Sequence, residues 1–174
     1  RGFIYSRLGD TSKALIDYTR ALALDPKQAA AYNNRATLYY MSDNYPAAIS
    51  DYTAAIGINN AYTDAYTNRG WAYYHSGNKE AAIEDHTKAI ALNPESASAF
   101  YNLAAGKAND GDLKAALEYY NYFLLLQPND PMAYNDRGFV HINMKNVNAA
   151  CEDWHKAVQL GNTKAKEAMD KFCK

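Results

Sequence analysis

The sequence predicts an all-α protein: an α-solenoid of stacked antiparallel helix pairs with a C-terminal capping helix. Three observations lead there. An apolar hexapeptide that closes on a turn residue recurs every 34 residues, ending at Pro26, Asn60, Pro94, Pro128 and Asn162. Such a period marks units that bury their apolar faces on one another. The composition favours helix: 31 Ala stand against only 19 Val, Ile and Thr together, and β-branched residues are the strand formers. Small and large side chains also alternate in fixed slots within each period.

Each unit reads as two helices. In the second unit the first helix runs from about Ala29 to Met41, and the second from about Pro46 to Ile58. Turn residues separate them in every unit: Gly9-Asp10, Asp43-Asn44, Gly77-Asn78, Gly111-Asp112 and Lys145-Asn146. Pro46 and Pro131 sit where a first helical turn starts, since a missing N–H costs nothing there. Pro26, Pro94 and Pro128 stop the second helices. The expected organisation is a partial first unit over 1–28 and whole units over 29–62, 63–96, 97–130 and 131–164. A capping helix follows over 165–174, and all belong to one solenoid domain. The first unit begins midway through a helix, so the expectation is a piece of a longer protein.

The slots carry a family resemblance. Tyr32, Tyr66, Phe100 and Tyr134 open the first helices. Gly2, Ala36, Gly70, Ala104 and Gly138 supply a small residue for close helix approach, and Tyr5, Tyr39 and Tyr73 follow one turn later. Ala14, Ala48, Ala82, Ala116 and Ala150 are the small contacts of the second helices. Tyr18, Tyr52, His86, Tyr120 and Trp154 are their large ones. This phase resembles the tetratricopeptide repeat over nearly the whole chain. The resemblance implies a non-catalytic protein-interaction scaffold that binds an extended peptide or a partner helix in a concave groove. It also implies no cofactor.

One pairing is legible without any alignment. Arg1, Arg35, Arg69 and Arg137 share one slot, and Asp17, Asp51, Asp85 and Asp153 share another, 16 residues later. The fourth unit has Leu103 and Tyr119 instead. Both charges are present or both are absent, which predicts an Arg–Asp ion pair bridging the helices of a unit.

Catalytic and metal signatures are missing from the sequence. The four histidines are scattered, and no H-E-x-x-H, C-x-x-C or phosphate-binding glycine loop occurs. Net charge is −1, with 18 basic and 19 acidic residues, so no basic surplus exists for nucleic acid. No apolar run reaches the roughly 20 residues of a membrane span. The groove slots are therefore the candidate site: Asn34, Tyr40, Asn68, Trp71, Tyr74, Tyr101, Asn102, Asn135 and Phe139. Amides both donate to and accept from a peptide backbone, and the aromatics offer anchors. Some arrays of this family clamp a terminal carboxylate with lysine. Here Asn33, Thr67 and Asn135 occupy that slot and Asp136 ends the asparagine line, so a neutral or weakly basic segment is expected. Two alternatives stay open: a structural array that self-associates as a homo-oligomer, and a helical repeat reading single-stranded RNA.

Cys151 and Cys173 lie 11 residues on either side of Asn162, in an expected antiparallel helix pair. Equal distance from the turn puts them at one height, so a disulfide is expected, with Cys151 buried beneath the tail. The stretch from Cys151-Glu152-Asp153-Trp154 to Cys173 resembles the ending of exported bacterial repeat proteins. That implies a periplasmic or secreted setting, with a cytoplasmic one as the alternative.

Overall fold

A computed structural model describes residues 1–173; Lys174, the last residue of the expected cap, lies outside them. The described residues form helices and turns, with no strand among them. They divide into two compact units, Arg1–Pro94 and Glu95 onward.

The first unit holds α1 (Gly2–Arg7), α2 (Thr11–Leu24), α3 (Ala29–Met41), α4 (Tyr45–Ile58), α5 (Thr63–His75) and α6 (Lys79–Leu92). They pair as hairpins α1–α2, α3–α4 and α5–α6, and each hairpin packs on the next. The second unit holds α7 (Ala97–Asn109), α8 (Leu113–Leu126), α9 (Pro131–Asn143), α10 (Val147–Gln159) and α11 (Thr163–Phe172). Its hairpins are α7–α8 and α9–α10, with α11 packed on α10.

Turn chemistry sets these boundaries. The side chains of Asp10, Asn44, Asn78, Asp112 and Asn146 each accept a backbone N–H three residues on, which caps a second helix. The residue before each cap has positive φ. It is glycine at positions 9, 77 and 111, but Asp43 (56°) and Lys145 (62°) take the same conformation with a Cβ.

The cores are built from the alanine and aromatic slots. Ala14, Ala48, Ala116, Ala150 and Trp154 are fully buried, and Tyr52 and Tyr120 nearly so. Two glycines are needed for packing. A Cβ on Gly70 would lie 2.5 Å from the His86 ring, and one on Gly138 would lie 2.6 Å from the Trp154 indole nitrogen. Cys151 is half-buried, short of the full burial expected from its slot. The same slot is half-buried at Leu15, Ile49, Ile83 and Leu117. It lies at the margin of the helix contact, so α11 covers it only in part.

Candidate functional site

The Arg–Asp slots meet in both units. Arg35 donates from Nε and Nη2 to Asp51 at 2.6 and 2.8 Å. Arg69 does the same to Asp85 at 2.7 and 2.7 Å, and Arg137 to Asp153 at 2.8 and 2.6 Å. Arg1 reaches Asp17 at 3.1 and 3.3 Å from a largely exposed side chain. Three of the four forks also have a third bond that the sequence reading missed. Nη1 of Arg35, Arg69 and Arg137 donates to Thr19 (3.2 Å), Thr53 (2.9 Å) and Asn121 (2.7 Å), on the preceding hairpin. Those three acceptors are separated by multiples of 34 residues, a signal that the period contained. Tyrosine rings flank the guanidinium planes, Tyr32 and Tyr39 around Arg35 and Tyr66 and Tyr73 around Arg69. These arginines therefore bolt hairpin to hairpin and are occupied structurally. Leu103 fills its slot as a buried apolar residue.

In the first unit, α3 and α5 lie side by side. Asn68 donates to Asn33 Oδ1 at 3.4 Å and so ties the two helices together. The Thr37 hydroxyl bonds the Asn33 carbonyl at 3.0 Å and shares a hydrogen with the Tyr52 hydroxyl at 3.1 Å. Burial pushes the Tyr52 phenol up to about 12. Tyr40, Trp71 and Tyr74 converge on His75, the last residue of α5. The imidazole stacks between Tyr45 and Trp71 at centroid distances of 5.8 and 5.5 Å. Tyr45 was not among the expected groove residues; it joins because α4 starts beside the end of α3. Asn34 borders a separate cleft of about 510 Å³, formed with Phe3, Arg20 and Leu24 at the α1–α2 edge.

In the second unit, α7 and α9 lie side by side. Asp136 accepts from the Tyr101 hydroxyl at 2.5 Å and from Asn135 Nδ2 at 3.0 Å. Burial, then this carboxylate, raises the Tyr101 phenol. The Asn102 and Asn135 side chains are more than nine-tenths buried, yet Asn102 Nδ2 and Asn135 Oδ1 have no partner in the protein. Phe139 is 43% exposed and stands edge-on to Trp154 at 5.4 Å. The expected asparagine line thus has four different rungs. Asn34 edges a cleft, Asn68 bridges helices, Asn102 has an unmet donor, and Asp136 is held by two donors.

Cys151 and Cys173 are joined by a disulfide, Cα–Cα 5.7 Å, which ties the end of α11 to α10. The histidines serve four separate places. His86 is buried in the large-residue slot, where burial lowers it to about 4. His141 Nε2 lies 3.8 Å from Asp153, and burial, the largest influence, lowers it. His155 donates to the Cys151 carbonyl at 2.7 Å from the surface. His75 belongs to the ring stack. No group of three or more His, Cys, Asp or Glu suited to a metal ion occurs among the described residues. No helix there is long and apolar enough to cross a membrane.

Comparison with known proteins agrees with this architecture. Residues 63–96 match the tetratricopeptide repeat model, and residues 2–43 match a TPR repeat model. No curated protein sequence matches the chain. Among solved structures, MamA superposes with a TM-score of 0.85 at 25% identity, covering 95% of this chain and 96% of that one. PilF from Pseudomonas aeruginosa gives 0.84 at 23% identity, covering 92% and 73%. YrrB, described as a TPR protein with an unusual peptide-binding site, gives 0.80 at 22% identity, covering 97% and 88%. Residues 2–43 and 63–96 are thus tetratricopeptide repeats, and the fold is that of tetratricopeptide-repeat proteins. A fold of this class implies a protein-interaction scaffold with protein or peptide partners, and such repeats are generally non-catalytic.

Proposed function

We propose that this chain binds an extended peptide along its first-helix faces, with the peptide backbone met by the amides of α7 and α9. The carrying observation is the complementary pair of unmet groups: Asn102 Nδ2 is a donor and Asn135 Oδ1 an acceptor, on neighbouring helices. Leaving such groups unpaired costs about 1–3 kcal/mol each. A peptide backbone supplies one carbonyl and one N–H per residue, so amides that turn toward it recover that cost. Phe139, on α9 of the same unit, adds aromatic area of the kind that anchors interfaces. The arginines that line these helices are committed to Asp51, Asp85 and Asp153, so they add no charge requirement of their own.

The test uses peptides enriched on the immobilised protein from a random-sequence display library. Asn102→Ala and Asn135→Ala should each weaken the enriched peptide about tenfold while circular dichroism stays unchanged. Unchanged affinity in both variants, or no enrichment at all, refutes the reading. A second reading, self-association, is favoured by one surface. Phe3, Ile4, Leu8 and Leu24 are 57%, 61%, 75% and 88% exposed along α1 and α2. Light scattering across a concentration series tests it, since a constant mass rules it out.

A further inference from the structure

We infer that the cleft between α9 and α11 selects the bound peptide by sequence, taking an apolar side chain flanked by acidic ones. The inference rests on the peptide reading above and adds α11 to the site. The cleft encloses about 460 Å³ and is lined by Asn135, Phe139, Lys164, Glu167, Lys171 and Phe172. Its three kinds of lining group each ask for a different part of a ligand.

The apolar part is set by three rings in series. Trp154 is fully buried and meets Phe139 edge-on at 5.4 Å and Phe172 face-on at 5.7 Å. Ala168 adds a small wall that leaves room beside the rings. A branched or aromatic side chain fits such a floor, and a polar one loses its hydration there. The backbone part is the unmet acceptor, Asn135 Oδ1, which calls for an N–H. Its own Nδ2 already donates to Asp136, and that bond fixes which end of the amide is which.

The charged part comes from α11. Lys164 and Lys171 line the cleft with one acid, Glu167, between them. Seven residues of helix separate the lysines by about 10 Å. An extended chain covers that distance in about three residues. Two carboxylates flanking one apolar residue stand about 7 Å apart on an extended chain, and the flexible four-carbon stems of the two lysines close the remaining distance, whereas a single carboxylate reaches one lysine. Lys171 Nζ also sits 4.9 Å from the centre of the Phe172 ring, so the cation is held next to the apolar floor. This acidic ligand differs from the neutral or weakly basic segment expected from the sequence.

The probes are fluorescein-labelled, amidated Gly-Ser nonapeptides with a central Asp-Leu-Asp, Asn-Leu-Asn, Lys-Leu-Lys or Asp-Gly-Asp. A fifth carries Asn-Leu-Asn at a free carboxyl terminus. Fluorescence anisotropy with the whole chain should rank Asp-Leu-Asp about fivefold above Asn-Leu-Asn, since each exposed ion pair is weak. It should stand about tenfold above Asp-Gly-Asp, because the apolar side chain is lost. Lys164→Ala with Lys171→Ala, both on exposed positions, should abolish the preference for aspartate. Equal binding of the Asp-Leu-Asp and Asn-Leu-Asn peptides, or a preference that survives the double lysine change, overturns this inference and leaves peptide binding intact. A free-carboxyl peptide that equals Asp-Leu-Asp overturns the internal-acid assignment. Binding of none of the five, when display peptides do bind, also overturns it. Absence of binding by both sets defeats the peptide reading itself.

Discussion

Acid should weaken the first unit through one side chain, His86. Its ring is 3% exposed and packs against the backbone of Gly70 and the edge of Trp71. Nδ1 has no partner in the protein. Burial alone holds the imidazole neutral and lowers its pKa to about 4 from 6.5. Above pH 6.5 both folded and unfolded chains are neutral at this site and no penalty exists. Below it the unfolded chain takes up a proton that the folded chain refuses, so stability falls as pH falls. The loss runs at up to about 1.4 kcal/mol per pH unit until pH reaches about 4. It amounts to about 2 kcal/mol at pH 5 and about 3 kcal/mol in full. Other groups titrate over the same range, so the comparison is with His86→Tyr. Tyrosine already fills this slot at Tyr18, where it packs over Gly2. Urea unfolding followed by circular dichroism, at half-unit steps from pH 7.5 to 4.5, gives the two stability curves. The wild-type curve should fall away from the variant curve below pH 6.5. Parallel curves would refute the burial argument.

Two other predictions concern the links between helices. Asp85→Ala leaves the mostly buried Arg69 fork without its carboxylate and should cost roughly 3 kcal/mol. The double change Arg69→Leu with Asp85→Tyr, the combination found at Leu103 and Tyr119, should cost less in the same denaturation assay; equal costs exclude a coupled pair. Reducing the Cys151–Cys173 bond, which closes a 22-residue separation, should lower stability by roughly 3 kcal/mol. The emission of Trp154 should shift with it, since Phe172 stacks on that ring next to Cys173. An unchanged melting curve under reductant excludes α11 as a pinned cap.

The sequence by itself determined the parts that depend on neighbours along the chain. Helix ends follow from Asn44, Asn78 and Asn146, whose caps act over three residues. The burial of Ala48, Ala116 and Trp154 follows from the 34-residue slots. The Arg–Asp pairing was legible because internal copies keep or lose both charges together. The tertiary structure alone decided what crosses from one hairpin to another. The bonds from Arg35 to Thr19 and from Asn68 to Asn33 depend on how far one hairpin is turned against the next. The period puts Thr19, Thr53 and Asn121 in one repeating slot, but a slot pattern has no information on the rotation that brings an arginine to it. For the same reason the line of Asn34, Asn68, Asn102 and Asp136 looked uniform in sequence and is not. Each side chain meets whatever group the adjacent helix presents, and those groups differ: Asn33 beside Asn68, and Tyr101 and Asn135 beside Asp136. The role of α11 as a cleft wall was hidden too. Amphipathic spacing shows which face of a helix is apolar, but only packing against α10 sets where Lys164 and Lys171 stand relative to Phe139.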